Sequence, residues 1–158
     1  AGEHIVSLLG GKGKVVELEG IAGTSAARDR GQGFNDAIAG TEIEVVAKQV
    51  ADFDRTQGLS VMENILQAQP EIDAVFAHND EMALGAQKAI EASGREIIIV
   101  GFDATDDAVA AVKEGKMSAT VAQQPSLIGE LGVETAKKIL DGESVEDFVP
   151  VDLQLVTE

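Results

Sequence analysis

At 158 residues the chain is one domain's length and can bury a sizeable core, and it has no run of about 18 apolar residues that could cross a membrane as a helix. Its 28 acidic residues against 12 Lys and Arg give a net charge of -16, which opposes nucleic acid and anionic lipid as partners. The absence of Cys excludes a thiol nucleophile, a disulfide and a Cys-based zinc site, and two His at positions 4 and 78, in unlike contexts, do not make a metal site.

The opening AGEHIVSLLGG lacks the charged start and long apolar core of a signal peptide. It reads as a helix entered partway, with Ile5, Val6, Leu8 and Leu9 apolar, and suggests a chain cut from something longer. A first strand over 14–19 (KVVELE) leads through a Gly-rich turn into a helix over 26–39, with Thr24 or Ser25 as N-cap. A second strand over 43–49 ends at the corner Ala51-Asp52-Phe53-Asp54, and the next helix, 55–69, stops before Pro70. The third strand, Ala74-Val75-Phe76-Ala77, is continuously apolar, as expected of a parallel strand covered on both faces. It turns at His78-Asn79-Asp80 into a helix whose first turn carries Asp80 and Glu81, where the macrodipole favours negative charge.

Gly94 closes that helix, and a fourth strand over 96–101 (EIIIVG) ends at Phe102-Asp103-Ala104-Thr105-Asp106. A short helix over 107–114 leads to a fifth strand over 119–123 (ATVAQ), which stops at Pro125. The helix predicted over 126–140 carries Leu127, Ile128, Leu131, Ile139 and Leu140 near one face. Five such side chains represent about 10 kcal/mol of burial that the helix must find somewhere. The last strand, 148–156, alternates apolar and polar residues, which indicates one wet face near a sheet edge. Strands alternating with helices predict an α/β fold with a doubly wound parallel sheet. Right-handed crossovers then bring all the strand carboxyl ends to one edge, where ligands bind in such sheets.

That edge collects Arg28 and Arg30 after strand one, Phe53 after strand two, Asn79 after strand three, Phe102 and Asp103 after strand four, and Gln123 at the end of strand five. A cation, a carboxylate and two amides pair hydroxyls, and phenyl faces cover the C–H face of a sugar ring, so the set suits a neutral polyol. Each residue also has an ordinary reading: Asn79 and Asp103 as helix caps, Phe53 and Phe102 as core, the arginines as solvated helix surface, Gln123 as a strand end. Gly31-Gln32-Gly33 lacks the third Gly of a dinucleotide fingerprint, Gly10-Gly11-Lys12-Gly13-Lys14 lacks phosphate-loop spacing, and no GxSxG elbow occurs. Asp103 and Arg30 without a placed base or nucleophile define no reaction class, so no catalytic residue, cofactor or metal is assigned.

The segments GTSAARDRGQGF, ADFDR, AHNDEMALGA, VGFD, ATVAQQP and PVDLQLV resemble the periplasmic sugar-binding proteins of the ribose-binding type. The resemblance covers essentially the whole chain but only the second of that family's two lobes. It implies a flavodoxin-like lobe of a type I periplasmic binding protein, with 1–123 as the sugar-binding lobe and 124–158 as a crossover helix and final strand that pack partly on the missing N-terminal lobe. It further implies a site for D-ribose or a similar sugar made by Arg30, Phe53, Asn79, Phe102, Asp103 and Gln123, with the two Phe stacking on the ring and binding weak without the other lobe. The implied parent works in the periplasm, or on the outer face of the cytoplasmic membrane, and hands sugar to ABC-transporter membrane subunits. The orphaned stripe of 126–140 is expected to be covered by a second copy, as a homodimer, or by refolding onto this lobe. AHNDEMALGA and VGFD also fit the effector core of lactose-repressor-like transcription factors. A receiver domain shares the fold but needs clustered acids and a Lys where Gln123 stands.

Overall fold

Residues 1–157 are described by a computed structural model. Four strands, β1 (Lys12–Glu19), β2 (Glu42–Val50), β3 (Ala74–Ala77) and β4 (Ile98–Val100), form a parallel sheet in the order β2-β1-β3-β4. The helices α1 (Gly2–Leu9) and α2 (Ser25–Ile38) lie on one face, with a core of Ile5, Val15, Phe34, Ile38 and Phe76. Against the other face pack α3 (Arg55–Ala68), α4 (Asp80–Ser93) and α5 (Asp106–Lys113), burying Val16, Leu18, Met62, Ile65, Met82 and Val112. Burial on both faces explains why the inner strands read as unbroken apolar runs.

Four helices start at the carboxyl edge of the sheet, each entered through a side-chain cap. Thr24 accepts from the Ala27 N–H, Asp54 from that of Gln57, Asn79 from that of Met82, and Thr105 from that of Ala108. Each cap satisfies a backbone donor that the first helical turn would leave orphaned, and it fixes where the preceding corner ends. Helices α3 and α4 approach closely through glycines: a Cβ on Gly58 would lie 2.6 Å from the Met82 carbonyl oxygen, and one on Gly85 2.7 Å from the Leu59 nitrogen.

The largest departures from expectation lie towards the end of the chain. Strand β4 covers Ile98–Val100 rather than 96–101, and β5 is only Thr120–Ala122, joined to β4 by the single parallel bridge Val100–Ala119. The predicted strand over 148–156 shortens to β6 (Gln154–Val156), which runs antiparallel to β5 at the sheet edge. Three residues of β5 can pair only three partners, so 148–153 has no ladder to join, and Phe148 and Leu153 are exposed. Helix α6 (Pro125–Leu140) forms where its pattern predicts but buries no residue, with Val133, Ile139 and Leu140 in solvent. It does not refold onto this lobe.

Candidate sugar-binding edge

Arg30 projects from the second turn of α2 and is largely buried. Its guanidinium donates to the His78 carbonyl at 2.5 Å and pairs with Asp103 at 3.1 Å. The Gln123 amide donates to the same Asp103 oxygen at 2.6 Å. Strands one, four and five thus meet in one Arg30–Asp103–Gln123 chain of hydrogen bonds. Burial pushes the Asp103 carboxyl above the usual aspartate range, against the opposing pull of Arg30 and Gln123.

The aromatics occupy unlike places. Phe102 is nearly buried, and the Arg30 guanidinium lies 4.0 Å from its ring centroid, so one phenyl face is already covered by a cation. Phe53 is half-buried, 5.7 Å from the same guanidinium, with its ring laid over Gly20, where any Cβ would collide with it. Asp52 and Phe53 both have left-handed backbones (φ 53° and 59°), a conformation that non-glycine residues adopt only when their surroundings hold them. Asn79 supplies part of that hold, because its amide donates to the Phe53 carbonyl at 3.2 Å while its oxygen caps α4. The cap reading of Asn79 is correct, and the same side chain also ties two corners of the edge together.

The six residues predicted for the site therefore converge on one edge. Arg28 does not join them: it is exposed and pairs with its neighbour Asp29. Arg30, Phe102 and Gln123 open into a concavity of about 720 Å³ that continues to Leu153 and Leu155 of the closing segment.

Residues 1–144 match the model of the periplasmic binding protein domain. The chain belongs to that family. A periplasmic binding protein domain of this kind has close curated relatives: the ribose import binding proteins of Haemophilus influenzae (59% identical) and Escherichia coli K12 (54%), each aligned over 100% of this chain and 54% of its own length. The chain thus spans about half the length of the curated relatives it matches. Among solved structures, a solute-binding protein of Actinobacillus succinogenes with bound D-allose superposes with a TM-score of 0.94 at 34% identity, over 99% of this chain and 56% of that one. One from Bacillus halodurans with bound myo-inositol gives 0.90 at 41%, over 99% and 55%. The α/β fold is that of type I periplasmic binding proteins.

Sequence reasoning missed the residues beneath this periplasmic binding protein's edge. Glu17 and His78 are fully buried and hydrogen-bonded at 3.0 Å. The Gly20 N–H donates to His78 Nδ1 at 3.3 Å, so Nε2 carries the proton and donates to Glu17. Lys48 and Asn35 complete the shell around the Glu17 carboxylate. Burial by itself would raise Glu17, but the hydrogen bonds from His78, Asn35 and Lys48 outweigh it and hold the carboxyl below the ordinary range. A signal was available, since a Glu inside the apolar run of β1 needs buried partners. Asp80, whose place in the sequence signals only favourable first-turn charge, is the other missed residue. It too is fully buried.

Proposed function

We propose that this chain is one half of a solute-binding protein that captures a neutral monosaccharide, D-ribose first among candidates, for uptake by an ABC importer. The observation that carries the reading is the Arg30–Asp103–Gln123 chain at the strand ends. Its unused N–H groups and carboxylate oxygen offer both donors and an acceptor to adjacent hydroxyls, beside the phenyl groups of Phe53 and Phe102, and Asn79 completes the set. The ribose import relatives, at 54–59% identity across the chain, support ribose over other sugars. No step in this role is chemical, and no cofactor or metal enters it.

The intact protein works in the periplasm or at the outer face of the cytoplasmic membrane, closing a second, N-terminal lobe over the sugar and presenting both lobes to the importer's membrane subunits. The apolar stripe of α6 is the surface that this second lobe covers, and in its absence a second copy of the chain covers it. The test is an NMR titration of the chain with D-ribose, with D-allose and myo-inositol as competitors. Ribose-dependent shifts at the side chains of Arg30, Asn79 and Gln123 are expected, and a folded sample with no shift at any of them would remove the sugar reading of this half.

A further inference from the structure

Asp103 and Ala104 have positive φ, 116° and 54°, a backbone region that L side chains adopt only under strain. A ligand-bearing corner in this conformation must be held, and the hydrogen bonds of the corner lead to one residue. The Asp80 N–H donates to the Phe102 carbonyl at 2.8 Å. Its carboxylate accepts from the Thr105 N–H at 2.7 Å and the Thr105 hydroxyl at 3.1 Å on one oxygen, and from the Thr120 hydroxyl at 2.7 Å on the other. Thr120 in turn accepts from the Ala104 N–H at 3.1 Å. The Asp103 N–H is anchored separately, by the Val121 carbonyl at 2.8 Å, the Asp103 carboxylate by Arg30 and Gln123, and Thr105 also caps α5. Gly101 leaves room for the arrangement, because a Cβ there would strike the Asp80 carboxylate.

We propose that Asp80 is a positioning residue of the sugar site, fixing the Phe102–Asp103 corner so that Asp103 faces Arg30 and Gln123. Asp80 itself takes no part in contacting ligand: it is fully buried and its carboxylate is occupied by threonine donors. The position explains why an unpaired carboxylate is kept in the interior. Burial, and to a smaller degree the charge of Asp103, raise its pKa, and only the hydrogen bonds from Thr105 and Thr120, with no cation, oppose that. A cap alone would not require it, since Asn79 already caps α4. This inference rests on the sugar-binding reading for its consequence, but its geometric content can be measured without sugar.

The experiment compares Asp80→Asn, Thr120→Val and the unaltered chain by the carboxyl ¹³C titration of Asp103, the Gln123 side-chain amide shifts and D-ribose affinity. In Thr120→Val, which leaves the Asp80 charge in place, Asp103 freed from the corner gains solvent, so its titration midpoint should fall toward the ordinary aspartate value; in both variants the Gln123 amide resonances should move and ribose should bind about tenfold more weakly. Folded variants with an unchanged Asp103 midpoint and unchanged Gln123 resonances would overturn the proposal, whatever their stability. If Asp80→Asn does not fold, Thr120→Val decides by the same readouts. If neither folds, Asp80 is a requirement of the fold rather than a support for the corner, and the proposal fails. If the unaltered chain binds no ribose, the sugar reading of this half falls alone, and the Asp103 midpoint still judges Asp80.

Discussion

Single residues divide here into those that face the ligand edge and those that hold it up. Asp103 is raised by burial, so its charged form is lost at a higher pH than that of an ordinary aspartate. A carboxylate accepts a sugar hydroxyl more strongly than a protonated acid does, so ribose affinity should decline as pH falls from about 7 toward about 4, measured by titration at each pH. Glu17 behaves in the opposite sense. Its folded-state value is depressed, so it contributes stability that is full above the ordinary glutamate value and is lost as pH falls through the depressed one. Glu17→Gln should therefore cost about 2 kcal/mol in urea unfolding near neutral pH, with the gap to the unaltered chain narrowing in acid. The facing residues were legible because strand ends fall at readable places. The supporting ones were not, because a hydrogen bond between residues 17 and 78 has no local signature in either segment.

Elements show the same division. The caps at Thr24, Asp54, Asn79 and Thr105 and the helix stop at Gly94 are local chemistry, and the predicted boundaries of α2 to α5 lie within about a residue of those observed. Packing between elements is not local. Gly85 reads as a weak point in a helix, yet it is where α4 meets α3, and Gly85→Ala should destabilise the fold by about 3 kcal/mol in thermal or urea unfolding despite the better helix propensity of Ala. Helix α6 shows where pattern stops being informative: its apolar face predicts the helix but not what lies against it. With Ile128, Val133, Ile139 and Leu140 exposed, the isolated chain should self-associate in sedimentation equilibrium, and Ile128→Glu with Ile139→Glu should return it to monomer without loss of helical signal. A concentration-independent monomer before substitution would show that the stripe tolerates water.

At the scale of the molecule, the proposed function has one lobe alone leave one side of a bound sugar in water, so the affinity of this chain for ribose is expected to be of millimolar order, because few hydroxyls are fully desolvated and the cost of immobilising the ligand is undiminished. Micromolar binding by calorimetry would show instead that this edge suffices alone. Sequence by itself determined the α/β alternation and the edge on which strands one, three, four and five deliver Arg30, Asn79, Asp103 and Gln123. These follow from periodicity and from turn and cap residues, whose physics is confined to a few neighbours along the chain. Tertiary structure alone decided that Arg30 covers a face of Phe102, that Glu17 and His78 pair beneath the edge, that Asp80 anchors the Asp103 corner, and that 148–153 finds no strand to join. Each of those outcomes depends on the distance between groups far apart in sequence, which only the packed sheet and its corners set.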